Sequence, residues 1–196
     1  KALLNSGKLY EHAKESEVFG VTAENVKIDH AKVVDRKDKV VKMLVSGVGA
    51  TMKAHKVNVV MAEAAIKGKT ADGFVVTANG EEYAADKLIL ACGSVAVVPP
   101  IPGLKEAGDV ILTNREILAL KEQPKSLVII GGGVIGMEFA SFYNSLGIPV
   151  TVIEMLPEIL GGMDKEIAET LRGIYAKRGV KFCMQCKVTR VEDDMV

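Results

Sequence analysis

Apolar residues recur along this chain at two different periods, and the places where the period changes divide it into elements. In KALLNSGKLYEHAKE, Leu3, Leu4, Leu9 and Ala13 make a rough helical stripe, and SEVFGVTAENVKID follows as a loop. Asp29 is placed to cap a long helix running to about Lys53, in which Val33, Val40, Leu44 and Val48 keep helical spacing. Lys32, Arg36, Lys39 and Lys42 fill a solvated face of it, and Gly47 and Gly49 weaken its end by about 1 kcal/mol each relative to Ala, so that fraying is expected there. From Val57 the period shortens. Val57 to Met61, Gly73 to Ala78 and Glu82 to Ala85 read as short strands, with Asn79-Gly80 as a hairpin turn of the favoured type. Lys87 to Ala91 (KLILA) reads as a buried strand ending at Cys92-Gly93-Ser94, and VVPPIPG after it as a rigid linker. Thr113 or Asn114 caps a short helix over Arg115 to Lys121, so a domain boundary is expected between Pro99 and Pro124.

The pattern is sharpest from Leu127 to Glu154. An apolar run, Leu127 to Ile130, meets three glycines, continues with Ile135, Phe139, Phe142 and Leu146 at helical spacing, and restarts after Gly147 as Val150 to Ile153. This predicts strand, tight turn, helix, strand. Gly131, Gly133 and Gly136 stand in the turn at G-x-G-x-x-G spacing, and Glu154 ends the second strand eighteen residues after Gly136. In that context the motif points to dinucleotide binding. Gly131 permits the turn, Gly133 leaves room for a pyrophosphate, and Gly136 lets helix and strand pack closely. Unpaired N–H groups at the helix N-terminus favour an anion, and the Glu154 carboxylate can accept hydrogen bonds from a ribose diol. The rival reading is a glycine-rich turn in an ordinary parallel sheet. Asp164 caps a further helix, Lys165 to Arg178, with Ile167, Leu171, Ile174 and Tyr175 on one face, Gly179 stops it, and Val180 to Met184 is a third strand. The fold class is therefore α/β, with a Rossmann-type doubly wound nucleotide-binding domain beginning in this half.

Composition narrows the partners. The chain has 196 residues, a formal net charge of zero and no Trp, so nucleic acid is a poor partner. The longest uncharged run, Leu88 to Leu104, is short of a membrane span and holds Pro99, Pro100 and Pro102, so no membrane partner is expected. No signal peptide opens the chain, and three cysteines make no disulfide framework, which fits a reducing cytoplasm. His12, His30 and His55 share no metal-ligand spacing and read as surface or capping residues; no metal site is expected. Cys183-Met184-Gln185-Cys186 lies on an extended run after a helix, where three strand steps separate the Cα atoms by roughly 10 Å, beyond disulfide reach. Two ordinary thiols are expected. Both ends look cut: residue 1 already reads as helix, and KVTRVEDDMV stops in a strand-like run.

KALLNSGKLYEHA, KLILACGSVAVVPPIPG, LVIIGGGVIGMEFASFYNSLG and VTVIEMLPEIL follow one another as landmarks do in the FAD- and NAD-dependent disulfide reductase family. Over nearly its whole length the chain resembles the dihydrolipoamide dehydrogenase branch of that family. The nucleotide motif is shared by many relatives, whereas KALLNS follows directly on the family's redox segment ending Cys-Ile-Pro-Thr-Lys or a close variant, whose final lysine would be Lys1. The resemblance implies two cofactors, FAD and NAD. It places Lys1 beside the flavin, the backbone N–H of Ala64 on FAD, and a flavin-domain turn at Cys92, Gly93 and Ser94, where Cys92 replaces the family's Thr and Ala96 stands where Pro is usual. It places the NAD pyrophosphate on Gly131, Gly132, Gly133, Val134, Ile135 and Gly136, the adenosine ribose on Glu154, the adenine edge on Val188 and the nicotinamide amide on Glu138. For Glu138 the alternative is a solvated early-helix glutamate favoured by the helix dipole.

The same resemblance divides the chain into residues 1–112, part of an FAD-binding domain joined to the Rossmann domain, and residues 113–196, the first half of the NAD-binding domain. The family's redox cysteine pair, first FAD phosphate loop, later FAD motif and dimer-interface domain with its histidine and glutamate have no counterpart in these residues, so no catalytic residue is assigned here. The implied parent is a homodimer that reoxidises the dihydrolipoamide of a lipoyl-bearing protein in a 2-oxoacid dehydrogenase or glycine cleavage complex. Three alternatives stay open: a related disulfide reductase, an NADH oxidase, and a module that senses NAD without chemistry. Met155 and Leu156 after Glu154, where a 2′-phosphate would call for arginines, predict NAD over NADP.

Overall fold

The computed structural model describes residues 1–71 and 73–192. In chain order the elements are α1 (Ala2–Lys14), α2 (His30–Ala54), β1 (Ala64–Thr70), β2 (Gly73–Ala78), β3 (Glu81–Ala85), α3 (Asn114–Ala119), β4 (Leu127–Ile130), α4 (Val134–Ser145), β5 (Val150–Glu154), α5 (Lys165–Lys177) and β6 (Lys181–Met184). Two compact units result, one of Lys1–Val40 with Ala96–Val196 and one of Val41–Val95.

In the first unit β4, β5 and β6 form a parallel sheet in that order, with Leu127 opposite Val150 and Thr151 opposite Lys181. Val150 and Val152 of the central strand are buried, as a strand with neighbours on both sides requires. They meet Met137, Ala140, Phe142 and Tyr143 of α4, whose burial at positions three and four apart fixes the helix face that packs on the sheet. Leu3 of α1, Val33 of α2 and Ile117 of α3 join the same core. α1 approaches α4 closely at Gly7, where a side chain would run into Ser145 and Phe142. Arg178, the C-cap of α5, pairs with Glu11 of α1, and Lys121 pairs with Asp35 of α2 at 2.9 Å. Caps form where the residue types place them. Thr113 and Glu116 make a capping box, and the carboxylates of Asp29 and Asp164 accept from the N–H groups of Lys32 and Ile167.

In the second unit β1, β2 and β3 make an antiparallel sheet, with a register shift in β1 between Ile66 and Gly68. Asn79 and Gly80 both take positive φ (52° and 79°), the backbone that a two-residue hairpin of this hand needs.

Several expectations change. Val57 to Met61 and Lys87 to Ala91 form no strands; Ile89 and Leu90 are exposed, because an apolar run becomes a buried strand only where neighbours hydrogen-bond to it. Ser16–Phe19 within the first loop closes a single helical turn. α2 extends through Gly47 and Gly49 to Ala54, and its Leu44 and Val48 are exposed. On α1, Leu9 is exposed, and Ile135 of α4 points out of the core. Ala168 is the buried residue of α5 and Ile167 and Ile174 are exposed, so the face that packs is rotated from the one the apolar pattern suggested. His30 is not at the surface: it is 6% exposed, its Nε2 bonds the carbonyl of Leu120, the C-cap of α3, at 3.0 Å, and its ring lies 5.8 and 5.9 Å from those of Phe142 and Tyr143. β6 ends at Met184 and Gln185 takes a left-handed φ of 56°, so the Cys183 to Cys186 run is not extended throughout. Lys187 to Glu192 forms no strand; the Val191 N–H donates to the Pro102 carbonyl at 2.8 Å, and Asp193 to Val196 lie outside the described residues.

Candidate nucleotide-binding site

The carboxyl end of the parallel sheet is shaped by the glycine loop. β4 stops because Gly131 takes φ +107°, a conformation that side chains rarely adopt, while its N–H still donates to the Ile153 carbonyl at 2.8 Å. Gly136 sits in the first turns of α4 against the strand. A Cβ there would lie 2.5 Å from the Gly131 carbonyl oxygen and 3.1 Å from Cγ2 of Ile129, so the helix could not approach the loop this closely with any other residue.

Gly133 differs. It caps α4 with an extended ψ of 174°, and a Cβ on it would have no atom within 4 Å. No side chain caps α4, and its first turn carries no acidic residue. Its leading N–H groups and the positive end of its dipole therefore face an open space on the loop, with Val134 and Ile135 exposed beside it. An uncapped helix N-terminus of this kind favours a negative charge.

Glu154 closes the other side. Its Oε2 accepts from the Gly132 N–H at 2.6 Å and its Oε1 from the Leu156 N–H at 2.7 Å, which fixes the carboxylate at the end of β5. Each oxygen keeps a second lone pair for a further donor. Gly132 is buried, and its carbonyl accepts from Leu160 at 2.8 Å. Loop and acid are thus one hydrogen-bonded unit.

Two residues that the sequence did not single out hold this unit in place. Glu158 accepts from Nε of Arg172 at 2.8 and 3.0 Å and from Nη2 at 2.9 Å, and its Oε1 also accepts from the Ile159 N–H at 2.9 Å. The pair anchors the loop after β5 to α5 and seats Ile159, 1% exposed, against Gly132. The Arg172 guanidinium holds the Glu158 carboxyl below the ordinary carboxylate range, and Glu158 in turn raises Arg172. The only sequence sign was an acid and an arginine fourteen residues apart, on a loop and a helix that nothing local joins.

Lys1 and Glu138, expected at the flavin and the nicotinamide, meet in an ion pair between the N-cap of α1 and the second turn of α4. Val188 is half-buried in the segment beyond β6. Ala64, Cys92, Gly93 and Ser94 belong to the other unit: Ala64 opens β1 opposite Ala78, and the three others lie exposed, with Gly93 at φ +73°. No group of three or more His, Cys, Asp or Glu side chains able to hold a metal occurs among the described residues.

The dihydrolipoyl dehydrogenase of Acholeplasma laidlawii is 42% identical over 100% of this chain and 58% of its own length, and that of Chlorobaculum tepidum is 38% identical over 97% of this chain and 40% of its own. The chain thus spans about half the length of such curated relatives. Among solved structures, LpdA from Mycobacterium tuberculosis superposes with a TM-score of 0.86 over 97% of this chain and 42% of that one at 24% identity, a likeness of fold. The HOCl-induced flavoprotein disulfide reductase RclA from Escherichia coli gives 0.73 at 26% identity, over 97% and 39%. The family model described as pyridine nucleotide-disulphide oxidoreductase matches residues 1–196. With its glycine cradle and its acid at the end of the second strand, the chain belongs to the pyridine nucleotide-disulphide oxidoreductase family.

Proposed function

We propose that these residues are the NAD-cradling part of a dihydrolipoyl dehydrogenase, with residues 113–196 the first half of the NAD domain and residues 1–112 part of the FAD domain. The observation that carries the reading is the cradle itself: an uncapped helix N-terminus over open space at Gly133, beside a carboxylate already fixed on Gly132. Identities of 36 to 42% to dihydrolipoyl dehydrogenases support the branch.

In this reading the N–H groups of Gly133, Val134 and Ile135 hold the pyrophosphate while that of Gly132 stays on Glu154, Glu154 takes the adenosine ribose, Val188 borders the adenine, and Glu138 orients the nicotinamide amide. Lys1, through its pair with Glu138, links the nicotinamide side to the flavin side, and Ala64 and Cys92 to Ser94 serve FAD by backbone contacts. When bound, FAD and NAD supply the transfer of an electron pair from a reduced disulfide centre to a nicotinamide. The residues described here bind and orient. The protein to which they belong would act as a homodimer in the cytoplasm on the lipoyl-bearing protein of a 2-oxoacid dehydrogenase or glycine cleavage complex.

The test is dihydrolipoamide-dependent reduction of NAD by that protein, compared with other dithiols and disulfides. Turnover with dihydrolipoamide supports the branch. The likeness to RclA favours a second reading, a flavoprotein disulfide reductase with another substrate, and activity confined to a different disulfide would establish that one instead.

A further inference from the structure

We propose that Cys183 and Cys186 form a reversible dithiol–disulfide site on the outer edge of the parallel sheet. The chain leaves β6 out of step with its neighbour β5. Cys183 pairs with Ile153 and Met184 with Glu154 in a parallel ladder. In that register the N–H that would reach the Glu154 carbonyl in an uninterrupted strand is that of residue 185, one past Met184. Here it is the N–H of Cys186, at 3.0 Å, while Gln185 takes a left-handed φ of 56° and sends its own N–H to the Leu156 carbonyl at 3.2 Å. One residue has been inserted into the strand, and Gln185 is the bulge.

The insertion changes what the two cysteines can do. In a straight strand they would be three steps apart and on opposite faces. With Gln185 looped out, the Cys186 N–H takes the hydrogen-bonding place two steps beyond Cys183, which corresponds to a strand rise of about 6.6 Å. Disulfides span Cα separations of about 4.4–6.8 Å, a range that includes this rise and excludes the roughly 10 Å of three straight steps. Both thiols are free and exposed, and β6 is an edge strand among the described residues, so a small reagent can reach them. The Cys186 thiol lies 3.3 Å from the Met184 carbonyl, across the bulge, and its backbone is tied to the strand that carries Glu154.

The chemistry is thiol–disulfide exchange with a low-molecular-weight disulfide. One cysteine, as thiolate, attacks a sulfur of the small disulfide and expels a small thiolate, leaving a mixed disulfide on the protein. The second cysteine, also as thiolate, attacks the protein sulfur of that bond and expels the other small thiolate. The protein loses two electrons and two protons, and one small disulfide becomes two small thiols.

The full chain is equilibrated in glutathione buffers of graded oxidation, quenched with an alkylating agent and digested with trypsin. One peptide, Phe182 to Lys187, carries both cysteines, and Cys92 is the single-thiol reference. The expected product is this peptide unalkylated and lighter by two hydrogens, under conditions where Cys92 is alkylated or carries glutathione. Cys186→Ser should stop at a glutathione adduct on Cys183. The folded chain should form the bridge at an equilibrium constant about tenfold or more above that of the chain in urea, since folding holds the thiols together. Two glutathione adducts on the wild-type peptide, full alkylation throughout, or equal constants in the folded and unfolded chain would each overturn the proposal.

Discussion

Gly133 and Gly136 stand three residues apart, yet a methyl group at each meets different surroundings, and this separates binding from folding at single positions. Gly136→Ala drives a Cβ to 2.5 Å from the Gly131 carbonyl, a backbone atom that cannot swing aside. Overpacking of this kind costs about 1–3 kcal/mol, so the urea midpoint should fall and NAD binding with it. Gly133→Ala meets nothing within 4 Å and φ is −71°, so its stability should stay within about 0.5 kcal/mol of wild type while NAD affinity drops, because the methyl occupies the space left for the pyrophosphate. Equal NAD affinity for Gly133→Ala and wild type would remove the phosphate from this loop. His30 gives a second residue-scale expectation. Burial among Phe142 and Tyr143 lowers its pKa below the ordinary 6.5, against the smaller opposing effect of the Leu120 carbonyl. Above 6.5 the ring is neutral folded and unfolded; as pH falls below that value the unfolded chain takes up a proton that the folded chain resists, and stability declines until the folded pKa is passed. His30→Leu should lack that part of the decline between pH 7 and 5 in thermal melts. The same desolvation pushes the buried Tyr143 phenol up to about 12, so it stays protonated throughout that range.

At the scale of elements, the glycine loop is held by a partner it does not touch in sequence. The segment after β5 is pinned to α5 by Glu158 and Arg172, and it carries Ile159 and Leu160 over Gly132. A charge-assisted pair of this geometry is worth about 1.5–3 kcal/mol when half-buried. Arg172→Gln should therefore lower stability by somewhat less than that, after solvent screening, and weaken NAD binding without altering the cradle residues themselves. Because the folded Glu158 pKa is depressed, the contribution of the pair is present above the ordinary value of 4.5 and is lost as pH falls through the lower folded value. Wild type should lose more stability than Arg172→Gln below pH 4.5, and parallel acid limbs would count against the clamp.

For the molecule as a whole, cofactor choice is the most direct readout. Two unit charges about 4 Å apart repel by roughly 4 kcal/mol at an effective dielectric near 20. A 2′-phosphate brought to the Glu154 carboxylate meets that repulsion, reduced by solvation, and we expect NAD over NADP by about a hundredfold, near 3 kcal/mol. NAD at 100 times its Kd should raise unfolding free energy by about 2.7 kcal/mol, while NADP at that concentration should do little. Glu154→Gln keeps an acceptor for Gly132 and removes the charge, so it should narrow the ratio; titration calorimetry at one salt concentration decides, since salt screens the repulsion. The purified 196-residue chain should take NAD without retaining stoichiometric flavin, since the resemblance assigns it no first FAD phosphate loop; a flavin spectrum from it would contradict this expectation.

The stretch Leu127 to Glu154 was legible in the sequence because its strand, turn, helix and strand are neighbours in the chain and their contacts are local: Gly131, Gly136 and Glu154 do their work against residues fewer than twenty-five positions away. The hairpin at Asn79-Gly80 and the caps at Asp29, Thr113 and Asp164 were legible for the same reason. Periodicity showed that Leu44, Val48, Ile167 and Ile174 were apolar, but which apolar faces are covered depends on elements brought together from far along the chain. Tertiary structure alone buried His30 under α4, set α1 against it, paired Lys1 with Glu138 and joined Glu158 to Arg172. It also chose which N–H answers the Glu154 carbonyl. That choice, made by a neighbouring strand rather than by the residues themselves, turned an extended Cys-x-x-Cys into a bulged one.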